Sequence, residues 1–126
     1  DENEISRHVV DAAFKIHQKL GPGLLESVYE EILAFELERR GLKVRRQVPV
    51  SFEYEGRPIT NGFRLDLLVE DKVAVELKVA DELAAVHRKQ ALTLSGYRNY
   101  GWGLLINFGA VMLKNGIVRL ANGLPE

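Results

Sequence analysis

The chain has 126 residues, 46% of them hydrophobic and 28% charged, with no cysteine and a formal net charge of −1. That length supports one apolar core, so a single domain over residues 1–126 is expected, and the missing cysteines exclude a disulfide framework and thiolate metal sites. No run approaches the roughly 18 apolar residues of a membrane span, and the acidic opening Asp1-Glu2-Asn3-Glu4 is unlike a signal peptide. These features lead us to expect a cytoplasmic protein without membrane contact. The near-neutral balance places any polyanion contact in local clusters, not in the overall field.

Ile5, Val9, Ala12, Ala13, Ile16 and Leu20 recur at three- and four-residue spacing, which predicts an amphipathic helix over 4–20 ended by Gly21-Pro22. His8 and His17 lie on it without the i, i+4 spacing of a helical metal pair. A second helix is predicted over 24–40 and ends at Gly41. Leu25, Val28, Ile32 and Phe35 lie on one side of it and Leu33 and Leu37 on another, implying two packing neighbours. Residues 44–54 read as a strand with an edge or bulge at Pro49, because proline cannot donate to a ladder. Val48, Val50, Phe52 and Tyr54 face one way, and Arg45, Gln47, Pro49 and Ser51 the other.

Two alternating runs follow, Phe63–Val69 and Val73–Val79. Phe63, Leu65, Leu67 and Val69 share one face, as do Val73, Val75, Leu77 and Val79, and both faces read as core. Matching core with core favours a hairpin closed by Glu70-Asp71-Lys72. That register sets Asp66 opposite Glu76 and Arg64 opposite Lys78. Directly opposed like charges destabilise a sheet unless something lies between them, and paired carboxylates suit a hard cation such as Mg²⁺. Lys78, on the same face as Glu76, would stand beside it.

Residues 81–100 read as a third helix with Asp81 near its N-cap, Leu83, Val86, Ala91 and Leu94 on its buried side, and His87 and Gln90 beside that stripe. Trp102 to Phe108 is a near-continuous apolar run, the pattern of a strand buried on both faces and paired in parallel after a crossover. Val111–Lys114 and Ile117–Leu120 flank Asn115-Gly116, a strong hairpin signal. That apolar hairpin could pair across a two-fold axis in a homodimer. The tail 122–126 is expected to fray.

Asp66, nine intervening residues, then Glu76-Leu77-Lys78 resembles the D…E-x-K signature of the PD-(D/E)XK nuclease superfamily. Gly23-Leu24-Leu25-Glu26-Ser27-Val28-Tyr29 is similar to the motif that names its GxxExxY branch, and Gly103–Gly109 is similar to that branch's last core strand. The resemblance implies an α/β restriction-endonuclease-like fold. Its αβββαβ core would have a mixed sheet, here with an extra N-terminal helix and a C-terminal β-hairpin. It further implies Mg²⁺ or Mn²⁺ held by Asp66, Glu76 and the Leu77 carbonyl with Glu26 in support, and Lys78 acting on the attacking water or phosphate. Gln90 resembles the superfamily's helix glutamine, although Leu94 stands where a tyrosine is usual. Arg64, Arg45, Arg46, Arg88, Gln90 and Tyr29 are the expected substrate-binding residues, and nucleic acid, DNA first, the expected substrate.

Three readings compete. Glu26 alone would suit the helix dipole, and the first-strand polar face and the charged faces of 63–79 would suit plain solvation or salt bridging. The chain could also be a non-catalytic nucleic-acid- or protein-binding module on the same fold, since function resides in the site. A retired site, however, is free to lose opposed carboxylates that cost stability without metal, so the intact set favours catalysis.

Overall fold

The computed structural model describes residues 1–81, 102–121 and 124–125. Helix α1 spans Glu2–Leu20, capped by the Asp1 carboxylate, which accepts from the Glu4 amide at 3.0 Å. It ends where Gly21 turns to φ 71°, its amide donating to the His17 carbonyl. A φ/ψ pair of 71° and −170° lies in a region that is essentially glycine's alone. Helix α2 spans Glu26–Arg39. It starts later than the pattern predicts because Leu25 is extended at the N-cap.

The strands are β1 Val44–Tyr54, β2 Arg57–Val69, β3 Val73–Lys78, β4 Trp102–Asn107, β5 Ile117–Ala121 and β6 Leu124–Pro125. They form one mixed sheet in the order β1-β2-β3-β4-β5-β6. β1, β2 and β3 make an antiparallel meander, β4 runs parallel to β3, and β5 and β6 return antiparallel. The β2–β3 register is the one that hydrophobic matching demands, with Val69 opposite Val73 and Leu67 opposite Val75. β1 lies at the sheet edge, where Pro49 costs no ladder bond.

The principal core lies between the two helices and the sheet. Val9, Ala12, Ala13 and Ile16 of α1 and Tyr29, Leu33 and Leu37 of α2 meet Leu67, Val69, Val73, Val75, Leu77, Leu104, Ile106 and Phe108. A second cluster joins Val48, Val50, Leu65, Leu68 and Ala74, with Phe63 packed against it. Leu65 therefore does not share a face with Leu67, as strict alternation predicts. The alternation breaks at Asp66, opposite which Gln47 of β1 takes a left-handed φ of 51° and drops out of the paired register.

Other expectations are corrected. Leu25 and Phe35 of α2 are exposed; that helix has one buried stripe, and the Arg39 guanidinium lies 5.4 Å from the Phe35 ring centre. Val111–Lys114 is not a strand. Residues 113–116 form a short 3-10 helix instead, and β5 pairs with β4. Gly116 is used there for close approach, since a Cβ would meet the Asn107 carbonyl oxygen at 2.6 Å. The hairpin on which a two-fold contact was expected is thus not built, and Leu124 and Pro125, placed in a frayed tail, pair with β5. The third predicted helix, with His87, Arg88, Gln90 and Leu94, lies outside the described residues. No helix among the described residues is long and apolar enough to cross a membrane.

Candidate active site

The β2–β3 ladder runs only from Val69↔Val73 to Leu67↔Val75. At the next position the side chains take over. The Asp66 amide donates to Glu76 Oε1 at 3.0 Å, and the Leu77 amide donates to Asp66 Oδ2 at 2.7 Å. Each carboxylate thus stands in for a ladder carbonyl. Two buried backbone donors stay satisfied while the strands part, a necessity because an orphaned buried amide costs about 1–3 kcal/mol.

Helix α2 adds two more acids. Glu30, buried, accepts Arg46 Nε and Nη2 on one oxygen, both at 3.0 Å, and Gln47 Nε2 on the other at 2.5 Å. The same Gln47 nitrogen lies 3.2 Å from Asp66 Oδ1. A path of hydrogen bonds therefore runs from α2 through β1 to Asp66, which accounts for the strained Gln47 backbone: its left-handed turn aims the amide between the two acids. Glu26 lies one helical turn before Glu30, hence on the same side of α2.

The electrostatics follow from burial. Glu76 is only 7% exposed, and its carboxyl is pushed up to about 8, chiefly by desolvation and then by the Asp66 charge. Asp66 is also raised, first by burial and further by Glu30, against the lowering pull of the Leu77 amide, Gln47 and Lys78. Partial desolvation and Asp66 raise Glu26. Among the described residues, Lys78, half-buried at the end of β3, is the cation that acts against all three shifts.

The remaining residues singled out by sequence are placed as follows. Tyr29 is fully buried, stacked on Phe108 with ring centres 4.4 Å apart. Its hydroxyl donates to the Gly21 carbonyl and accepts the Leu24 amide at 3.2 Å. It thereby fastens the α1–α2 connection just before Glu26. Arg46 is held by Glu30, and Arg45 pairs with Asp71 of the β2–β3 turn at 3.2 Å. Arg64 is exposed opposite Pro49 and has no side-chain partner among the described residues.

Sequence reasoning passed over Glu30 and Asn107. Glu30 was signalled only by its four-residue spacing from Glu26, and Asn107 only by being a polar residue in an apolar run. Asn107 is 1% exposed and pairs in register with Lys78. Its carboxamide brackets Ala80, accepting its amide and donating to its carbonyl, both at 2.9 Å, and also accepts the Gly109 amide at 2.9 Å. The backbone leaving Lys78 is thereby fixed from both sides.

The role of Tyr29 yields a measurable expectation. Tyr29→Phe keeps the stacked ring but strands the Gly21 carbonyl and Leu24 amide, so unfolding in urea should show a loss of about 1–2 kcal/mol. An unchanged midpoint would mean that the hydroxyl does not hold the loop.

Two helices packed on a mixed sheet, with carboxylates gathered where two strands part, define a restriction-endonuclease-like α/β protein. A family model described as the PD-(D/E)XK nuclease superfamily matches residues 3–120, and the chain belongs to that superfamily. Nuclease-type chemistry is the function this membership suggests. Neither the curated proteins nor the solved structures searched gave a match.

Proposed function

We propose that this chain is a Mg²⁺- or Mn²⁺-dependent nuclease of the GxxExxY branch, hydrolysing phosphodiester bonds of nucleic acid, with DNA as substrate. The observation that carries the reading is Glu76. It is a nearly buried acid facing Asp66, and Lys78 is the cation among the described residues that opposes the rise in its pKa.

Asp66, Glu76 and the Leu77 carbonyl, with Glu26 from the helix side, would hold the metal. The donor chemistry fits, since all are oxygen donors and the Asp66 charge raises the pKa of both Glu76 and Glu26 in its absence. No three acidic or histidine side chains among the described residues already converge as a metal cage. Asp66 and Glu76 each spend an oxygen on a backbone amide, which orients it. A bound divalent ion supplies Lewis acidity toward the phosphate and lowers the pKa of water.

The chain's own residues do the rest. Lys78 donates to the attacking water or to a nonbridging phosphate oxygen, stabilising charge as it develops. Gln47 and Glu30 hold Asp66 in place, and Arg64 contacts substrate phosphate. Arg45, Arg46 and, on the helix predicted from sequence, Arg88 and Gln90 complete the substrate-binding set. Tyr29 serves that set indirectly, by fastening the loop that presents Glu26.

Calorimetry tests the reading together with incubation of labelled DNA and RNA in Mg²⁺, Mn²⁺ or EDTA. Metal should bind wild type and fail to bind Asp66→Ala, and cleavage should require metal. Equal metal affinity in both proteins, or no cleavage of any substrate, would return the chain to the class of non-catalytic binding modules.

A further inference from the structure

The β1–β2 pair continues well past the rest of the sheet. Its register runs from Val44↔Val69 out to Tyr54↔Arg57, whereas β2 pairs with β3 only over Leu67–Val69. Outward of Asp66, the strands therefore form a two-stranded ribbon that pairs only with itself among the described residues. Nearly all of residues 51–64 are exposed. Arg57, at the tip, pairs with Tyr54, seven residues along β1 from Gln47 beside Asp66, a reach of about 23 Å at about 3.3 Å per residue. An isolated hairpin is marginally stable in water, and this one is reinforced. The Phe52 ring lies over Gly62, where a Cβ would collide with it, and stacks with Phe63 at 6.1 Å between centres.

Its exposed groups include Tyr54, Arg57, Thr60, Asn61 and Arg64, with acids at Glu53 and Glu55. Arginine, threonine and asparagine are side chains that bond base edges and phosphates. The ribbon is poorly suited to adding a partner's strand. The outer edge of β1 is broken by Gln47 in a left-handed conformation and by Pro49 without a donor, and β2 bulges over residues 60–62, with Asn61 left-handed, between the Val50↔Phe63 and Phe52↔Ile59 pairs. It also offers little to a single strand, because two of its three aromatic rings are spent on each other and only Tyr54 projects freely, 63% exposed.

We propose that this ribbon is a duplex-binding arm that enters the major groove of B-form DNA and seats the backbone against Asp66, making double-stranded DNA the substrate class. The major groove admits a two-stranded ribbon, whereas the deep, narrow major groove of A-form RNA does not. The assignment rests on the nuclease reading, yet binding and cleavage separate the two.

The test is anisotropy titration of the full chain in EDTA against a labelled DNA duplex of about two helical turns, its single strand, and an RNA duplex of the same sequence. The DNA duplex should bind tightest. Arg57→Ala should weaken duplex binding several-fold and reduce the slope of log affinity against log salt by about 1. Glu53→Gln should strengthen it, a gain that a misfolded protein cannot show. Salt slopes that Arg57→Ala leaves unchanged, single strands or RNA bound as tightly as duplex DNA, or no duplex binding at all would overturn the arm. Failure to cleave in Mn²⁺ with arm-dependent binding intact would overturn the nuclease reading alone.

Discussion

Lys78→Ala is expected to lower cleavage by about 10²–10³-fold, the usual effect of removing one donor aimed at developing charge, while metal still binds. Lys78 ends β3, paired in register with Asn107 of β4, and the backbone beyond it is clamped through Ala80. Truncating the side chain therefore leaves its strand in place. The substitution removes the positive charge that pulls Glu26, Asp66 and Glu76 toward ionisation. Metal affinity should accordingly fall modestly at pH 7 and recover at higher pH, whereas cleavage should not recover. Calorimetry and cleavage rates measured over the same pH range separate the two effects. Cleavage at the wild-type rate would remove Lys78 from the mechanism.

Without metal, the protein should lose stability as pH rises from about 5 to about 8. In the folded state Glu76 titrates near 8 rather than at the ordinary carboxylate value of 4.5. Between those values the native chain holds a proton that the unfolded chain has released. Unfolding stability then falls with pH by about 1 kcal/mol per unit, fully present below about 4.5 and lost as pH passes 8. Asp66 is raised as well, for the same reason of burial, so the trend is reinforced at its acid end. Glu76→Gln should flatten the slope and be more stable than wild type at pH 8 in EDTA.

Asp66→Asn should match or slightly exceed wild type in EDTA, since it removes a largely buried charge while keeping an acceptor for the Leu77 amide. Saturating Mg²⁺ should invert that ranking, because wild type gains binding energy that the variants lack. Melting curves in EDTA and in Mg²⁺ decide this. A purely salt-bridged face predicts that Asp66→Asn is less stable in EDTA and that Mg²⁺ changes nothing.

The hairpin register shows why the placement of the candidate site's acids could be read in advance. Side chains alternate with period 2, so matching Leu67 and Val69 to Val75 and Val73 leaves one low-energy alignment. Asp66 then faces Glu76 whatever lies beyond the strands. The parallel placement of β4 was equally legible, because an apolar run after a long connection has to be buried on both sides. Asn115-Gly116 misled because the same dipeptide serves two needs. Here glycine answers a close approach to Asn107, not a tight hairpin turn. Likewise Leu25 and Phe35 fit a helical stripe, but among the described residues no element covers that face of α2.

By itself, then, the sequence determined two helices, the meander, the buried parallel strand and the acids Asp66 and Glu76 with Lys78, because each follows from periodicity within a few residues or across one short turn. Only the tertiary structure decided what surrounds them. Glu30 reaches Asp66 through Gln47 on another strand, Tyr29 turns inward to the loop, Asn107 braces the exit from Lys78, and the β1–β2 ribbon outruns its sheet. Those features depend on where separate elements meet and on where a ladder stops, and no local spacing encodes either.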